Sequence, residues 1–485
     1  MNPEMFREYD IRGIAGKDMT ENDVMLIGKG VGTFLKNHGR SQLTVGRDCR
    51  LTSDLYSEKI IEGLRSTGCD VIDIGICPTP VFYFSIQHFD RQGGVMVTAS
   101  HNPGEYNGFK LCMDLDSIHG QDIQKILGII TGKSFVQGKG SVSTADAVTP
   151  YKEFLINNIT MAGPIKVGVD AGNGTAGVVA VPILKNLNCE VYDIYCDMDG
   201  TFPNHEADPT VAKNMRDLVA MVKEKGLDLG IGYDGDGDRI GVVDEEGNLI
   251  FGDQLMIIFA REILSRKPGA TFISEVKCSK TMYDDIEKHG GRAIMWKTGH
   301  SLIKKKMKQE KAELAGEMSG HMFFADRYFG FDDATYASCR LLEILTQTGK
   351  RISELLSDVP KTFSTPEIRV ECPDDKKFAV VKKVTEFFRS RYNVIDIDGV
   401  RVLFDDGWGL VRASNTQPAL VLRFEAMSED RLSERRQAFR DKESGRVCSG
   451  RYSKNVKILA QAPPQRGSAP AGGPVFGYPQ RGYFY

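Results

Sequence analysis

The feature that most limits how this chain can fold is a unit written three times. "LTVGRD" (43–48), "IKVGVD" (165–170) and "ATFISEV" (270–276) are short apolar runs. Each leads into a segment with apolar residues at helical spacing, as in "SDLYSEKIIEGLRSTG" (53–68). A second apolar run follows: "GCDVIDIG" (68–75), "NCEVYDIY" (188–195) or "GGRAIMWK" (290–297). Strand, helix, strand is the βαβ pattern of a largely parallel sheet covered by helices. Each unit then adds one more strand ending in a polar loop: "GGVMVTASHNP" (93–103), "LDLGIGYDGDGDR" (227–239) and "AELAGEMSGH" (312–321). In open α/β sheets ligands sit beyond the carboxyl ends of strands. Three related units therefore predict three loops lining one cleft.

A fourth segment, 362–426, reads as strand, helix and three strands, with its own polar loop "RASNTQP" (412–418). The expected fold is α/β: three tandem related βαβ-type domains with mixed sheets plus a fourth α+β domain, around one central cleft. A length of 485 residues agrees with three or four domains at ~150 residues each. The boundaries are read as 1–146, 147–248, 249–361 and 362–434. From about Ser433 the pattern fails, and 435–485 is an atypical tail rich in Arg, Gly, Pro and Tyr. Such a composition reads as disordered, with RNA contact as the functional alternative.

Charge and composition exclude more than they assign. A net charge of −3 points to neither nucleic acid nor membrane as a partner. No apolar run approaches the ~20 residues needed to span a bilayer. The opening "MNPEMFREYDIRG" lacks a secretion signal. Ten cysteines include no C-x-x-C pair, and Cys69, Cys189 and Cys278 sit in strand-like runs. That usage fits reduced cysteines in a cytoplasmic protein.

Each loop suggests a chemistry. Asp234, Asp236 and Asp238 alternate with glycines directly after an apolar strand, so three hard oxygens can converge on Mg²⁺. An EF-hand is disfavoured because a strand, not a helix, precedes the loop. Arg239 follows at once, placed to meet a phosphate. Ser100 ends its strand beside His101, with no G-x-S-x-G elbow. Judged alone it is a turn serine. Opposite the aspartates it becomes a nucleophile or a carrier of phosphate, with Lys110 adding a cation nearby. "GEMSGH" offers Glu317, Ser319 and His321, a carboxylate and a hydroxyl for sugar hydroxyls and a ring that titrates near neutrality. Arg412, Ser414, Asn415 and Thr416 bring together the groups of a phosphate cradle, with an ordinary polar hairpin as the alternative. The lysines of "KTGHSLIKKKMK" (297–308) read as a solvated helix face, with His300 able to enter the cleft.

With these residues assembled, the chain resembles the α-D-phosphohexomutase superfamily, and within it the bacterial phosphomannomutase/phosphoglucomutase group. The resemblance runs from "EYDIRG" (8–13) to "LVLRFEAMSED" (420–430), with "TASHNP", "DGDGDR", "GEMSGH" and "RASNTQP" in order. It implies that Ser100 is a phosphoserine and that Mg²⁺ is held by Ser100, Asp234, Asp236 and Asp238. It implies phosphoryl transfer between Ser100 and the 1- and 6-hydroxyls of mannose and/or glucose, through a hexose 1,6-bisphosphate that also activates the enzyme. Arg12, Lys110 and His321 are its candidates for proton transfer, unranked. Substrate would meet Tyr9, Arg239, Lys277, His300, Glu317, Met318, Ser319, Gly320 and His321. The distal phosphate would meet Arg412, Ala413, Ser414, Asn415 and Thr416. Met318 matches the mannose/glucose members, where phosphoglucosamine mutases usually carry Gln. The partners expected are hexose monophosphates, for a monomer. Family members end the fourth domain with an amphipathic helix, which the altered C-terminus puts in question here. The alternatives are a phosphoglucosamine mutase, a non-catalytic sugar-phosphate binding protein disabled by that C-terminus, and a Mg²⁺-dependent phosphatase.

Overall fold

The computed structural model describes residues 1–439. In each of the three units, three strands run parallel and a fourth returns antiparallel, which makes the sheets mixed. The first unit uses Gln42–Arg47, Asp70–Ile76 and Gly93–Val97, with Tyr106–Met113 returning against the last. The second uses Ile165–Asp170, Cys189–Ile194 and Leu229–Tyr233, with Ile240–Asp244 returning. The third uses Thr271–Glu275, Arg292–Trp296 and Leu314–Gly316, with Met322–Phe324 returning. Across every sheet the order is second, first, third, return. The three polar loops are the connections from third strand to return strand. They therefore occupy the same corner of three homologous sheets.

The third strands read as unbroken apolar runs because both faces are covered. Every residue of Gly93–Val97 and of Leu229–Tyr233 is buried. One apolar core joins helix Thr79–His88 of the first unit, the strands of the second and helices Gly252–Arg266 and Ala334–Thr348 of the third. The three corners are thus fixed relative to one another by shared burial.

The fourth domain is an antiparallel sheet built on Val400–Phe404, Gly407–Ala413 and Ala419–Ala426, backed by helix Asp374–Arg389. The chain does not lose its pattern at Ser433. A closing helix, Glu429–Ala438, starts on the Ser428 cap and carries the domain past 434. Leu432 and Phe439 anchor it in the domain's core, and Phe439 packs 4.3 Å from Phe388 by ring centroids. Between these two anchors, seven residues apart, Arg435 is half-buried over the Phe404 ring at 4.6 Å and pairs with Asp406 at 2.5 Å. The rest of the expected tail, 440–485, lies outside the described residues.

This domain grips the third through buried cations. Arg401 donates to the carbonyls of Val276 and Cys278 (2.7 Å each) and lies 3.8 Å from the centroid of the Trp408 ring. Arg423 donates to the carbonyl of Lys277 (2.8 Å). Among the described residues no helix is long and apolar enough to cross a membrane.

Candidate active site

Ser100 sits at the turn that follows Gly93–Val97, at φ 52°, a left-handed conformation that non-glycine residues adopt rarely. Its N–H donates to Thr98 Oγ1 (2.9 Å), and its hydroxyl donates to Asp234 Oδ2 (2.7 Å). His101 Nδ1 lies 3.1 Å from the same Oγ, so the carboxylate is the closer acceptor. Burial, then the charges of Arg239 and Arg12, hold the His101 pKa well below the usual range, which keeps the ring neutral.

Asp234, Asp236 and Asp238 are completely buried, and each brings a carboxylate oxygen within 4.8 Å of the others. Their loop can touch the serine loop because Gly235 has no side chain: a Cβ there would lie 2.5 Å from the Ser100 carbonyl oxygen. Asp234 Oδ1 accepts from the N–H groups of Asp238 (3.0 Å) and Arg239 (3.1 Å). Asp236 Oδ2 accepts from Lys110 Nζ (2.6 Å) and Thr79 Oγ1 (2.5 Å). Lys110 also pairs with Asp238 Oδ2. Asp236 Oδ1 and Asp238 Oδ1 remain buried without a partner. Burial and mutual repulsion raise the pKa values of Asp234 and Asp238. At Asp236 burial acts in the same direction, but Lys110 overcomes it and lowers the pKa. Burial disfavours charge on Lys110, yet the surrounding aspartates raise its pKa. Two bare oxygens in a cluster this repulsive are what a divalent cation would relieve, and all-oxygen donors suit Mg²⁺.

A neighbouring set, Asp238, His321 and Asp332, has a different character. Arg239 Nε donates to His321 Nε2 (3.0 Å), so the proton of the neutral ring sits on Nδ1. That atom lies 3.2 Å from Asp332 and 3.6 Å from Asp238. It therefore turns an N–H toward the two carboxylates, with no hydrogen bond made to either, rather than a lone pair toward a metal. Burial opposes a charged ring, but Asp238 and Asp332 outweigh it and raise the His321 pKa.

The remaining predicted residues close around the same space. The Ile240 N–H donates to the Gly320 carbonyl (3.1 Å), joining the acidic and sugar loops. Gly320 stands at φ 90°, where any Cβ would collide with the Ile240 oxygen. Glu317 is buried and accepts from the Gly299 N–H (2.7 Å), while Met318 donates its N–H to Glu275 (3.3 Å) and Ser319 is half-buried. His300 opens helix His300–Glu310, its ring stacked 5.7 Å from His321 and edge-on to Tyr9 at 6.0 Å. Burial lowers its pKa well below the usual range. Tyr9 donates to the Thr298 carbonyl (2.8 Å) and accepts from Asn415 Nδ2 (2.5 Å), so the first, third and fourth domains meet at one hydroxyl. Arg412 Nε donates to Asp398 (2.9 Å), next to Ala413, which ends its strand. Ser414 Oγ accepts from the N–H groups of Thr416 (3.4 Å) and Gln417 (3.2 Å). Lys277 Nζ lies between Glu275 (3.4 Å) and Glu367 (3.1 Å). Arg12 pairs with Asp10 (2.6 Å) and donates to Asn102.

Sequence reasoning missed the residues that hold these in place: Asp10, Arg50, Thr79, Glu275, Asp332, Glu367 and Asp398. It also placed the lysines of 297–308 in solvent. Lys304 is buried instead, 3.2 Å from Asp332 and 4.3 Å from the centre of the Tyr83 ring. A signal was present, since Ile303, Lys304 and Met307 share one buried helical face.

The geometry has counterparts in known proteins. The models for phosphoglucomutase/phosphomannomutase match in order: alpha/beta/alpha domain I at 3–137, domain II at 147–247, domain III at 251–363 and the C-terminal domain at 367–442. The chain is 45% identical to the phosphomannomutase/phosphoglucomutase of Pseudomonas putida over 437 residues, 90% of this chain and 94% of that one. It is 43% identical to the phosphoglucomutase of Neisseria meningitidis serogroup A, covering 87% of this chain and 93% of the relative. A crystal structure of a phosphoglucomutase/phosphomannomutase family protein from Burkholderia thailandensis superposes with a TM-score of 0.87 at 39% identity, covering 93% of this chain and 99% of that one.

Proposed function

The chain belongs to the phosphoglucomutase/phosphomannomutase family and is a hexose-phosphate mutase, and from that premise we propose that it interconverts the 1- and 6-phosphates of mannose and glucose through phosphorylated Ser100. The observation that carries the reading is the 2.7 Å hydrogen bond from Ser100 Oγ into the buried carboxylates. A phosphoryl group on that oxygen would stand against the acidic loop. Asp234, Asp236 and Asp238, together with the Ser100 phosphate, would hold Mg²⁺, which supplies neutralisation of phosphoryl charge when bound.

The residues of the chain do the rest. Arg412, Ser414, Asn415 and Thr416 clasp the phosphate the substrate brings, and Glu317 and Ser319 take its sugar hydroxyls. That places the free hydroxyl in line with the Ser100 phosphorus. The P–O bond to Ser100 breaks as the bond to the sugar oxygen forms. The hydroxyl proton is relayed through the candidates Arg12, Lys110 and His321, and Ser100 Oγ regains a proton as its phosphoryl group leaves, so that protons balance over the step. The hexose 1,6-bisphosphate then turns over within the cleft, and its other phosphate returns to Ser100. One chain supplies all four loops, which supports a working monomer. The nine cysteines among the described residues are free, which supports a reducing cytoplasmic setting. The described closing helix of the fourth domain and the relatives' names disfavour a disabled binder and a phosphoglucosamine mutase.

The decisive experiment follows turnover of mannose 1-phosphate and glucose 1-phosphate with Mg²⁺ and glucose 1,6-bisphosphate. Intact-mass analysis before and after the bisphosphate should show one phosphoryl group, located to Ser100 by fragmentation. Folded protein that turns over none of these hexose phosphates sinks the reading.

A further inference from the structure

Beneath the serine loop lies an arginine that substrate does not need and that the proposed chemistry leaves unused. The Arg50 side chain has no solvent exposure. Its guanidinium has five N–H donors, and five acceptors receive them. Nη2 donates to the carbonyls of Ser100 (2.7 Å) and Asn102 (2.6 Å). Nη1 donates to the carbonyls of Pro103 (2.6 Å) and Tyr106 (3.0 Å). Nε donates to Asp48 Oδ2 (3.1 Å). Asp48 is itself fixed, its other oxygen accepting from the Arg50 N–H (3.0 Å) and from Ser53 Oγ (2.5 Å). On the far side the guanidinium carbon lies 5.0 Å from the centroid of Phe202, a residue of the second domain.

These contacts answer a problem the serine poses. At φ 52° Ser100 occupies a conformation that costs free energy and persists only where its surroundings impose it. The Ser100 carbonyl is clamped between the Arg50 guanidinium and the bare face of Gly235. With the carbonyl held, Oγ is left directed at Asp234. We propose that Arg50 is a positioning residue for phosphoryl transfer: it holds four carbonyls of the serine loop, and through them sets Ser100 Oγ against the acidic loop. Phe202 makes the clamp an inter-domain device, because the second domain supplies both the aspartates and the ring that backs the guanidinium. The inference rests on Ser100 being the phosphoryl carrier.

The test uses the full chain carrying Arg50→Ala, Arg50→Lys or Phe202→Leu, with Ser100→Ala alongside. In Arg50→Ala, kcat should fall by roughly 100-fold, the scale of a small misplacement of reacting groups. KM for the hexose phosphate should stay within about threefold, since the substrate's own contacts are untouched. Added guanidinium ion should restore at least about tenfold of the lost kcat in Arg50→Ala and nothing in Ser100→Ala. Arg50→Lys should remain impaired, because a point charge cannot reach four carbonyls. Phe202→Leu leaves every hydrogen bond in place and should lower kcat by about threefold to tenfold, which keeps the proposal open to refutation if the Arg50 variants do not fold. Full kcat in folded Arg50→Ala, a KM that rises with no loss of kcat, or an unchanged Phe202→Leu overturns the proposal. An active Ser100→Ala would instead overturn the phosphoserine reading.

Discussion

The first and third domains place an acid at the same point, the end of the first strand, and use it differently. In the first, Asp48 holds Arg50 two residues on. In the third, Glu275 lies 3.4 Å from Lys277, again two residues on. The arginine turns under its own loop and spends all five donors on the protein. The lysine lies 3.1 Å from Glu367 of the fourth domain. A planar fork suits a fixed set of carbonyls, and a compact ammonium on a flexible stem suits a point between two carboxylates. Repetition of a fold thus preserves an acid and a cation two residues apart while the cation's partners move from main-chain carbonyls to a carboxylate of another domain. The middle domain makes a third use of the place: Asp170 takes His205 from a distant loop, at 3.1 Å.

That contrast can be broken most severely at the residue Arg50 serves. Ser100→Ala should cut turnover by ~10⁴-fold or more, as nucleophile deletions do. Calorimetric affinity for hexose phosphate should change little, because the Lys277 side of the cleft is intact. A smaller effect is expected at the acidic loop. Asp236→Asn should lower kcat by roughly 10²–10³-fold, the scale of losing one charge-stabilising group, and should shift Mg²⁺ titrations of activity to higher concentration.

Lys277→Met addresses the other half of the comparison. It should raise KM by about tenfold while kcat falls less, the pattern of lost ground-state binding. Arg50→Ala should do the reverse, so a matching pattern in the two variants would erase the distinction. The smallest effect belongs to the middle domain and is one of stability. The hydrogen bond to Asp170 raises the His205 pKa against the opposing effect of burial. The folded protein therefore keeps that proton to higher pH than the unfolded chain does. Its contribution is complete below the unfolded value of about 6.5 and is lost as pH rises through the folded one. Urea midpoints of the native chain and His205→Gln should differ most near pH ~5.5 and converge near pH ~9. A gap that widens with pH contradicts this pairing.

Much of the candidate site was legible in the chain because local patterns mark it. Alternating Asp and Gly after an apolar strand mark Asp234, Asp236 and Asp238, and the repeat assigns Ser100 and Glu317 to matching corners. The supporting residues were not legible, for a physical reason that differs in each case. Arg50 acts on main-chain carbonyls, which carry no side-chain signature. Asp332 and Lys304 meet only when helix His300–Glu310 packs inward. Phe439 was hidden in a stretch whose composition is otherwise polar, so the closing helix was missed.

By itself the sequence determined the three-fold unit, the parallel strands and the loops that bear chemistry, because hydrophobic period and turn residues act over short range. Only the tertiary structure decided which charges serve the protein and which face the cleft. Burial and the partner across a domain boundary settle that question, and both depend on residues from about 50 to more than 100 positions apart.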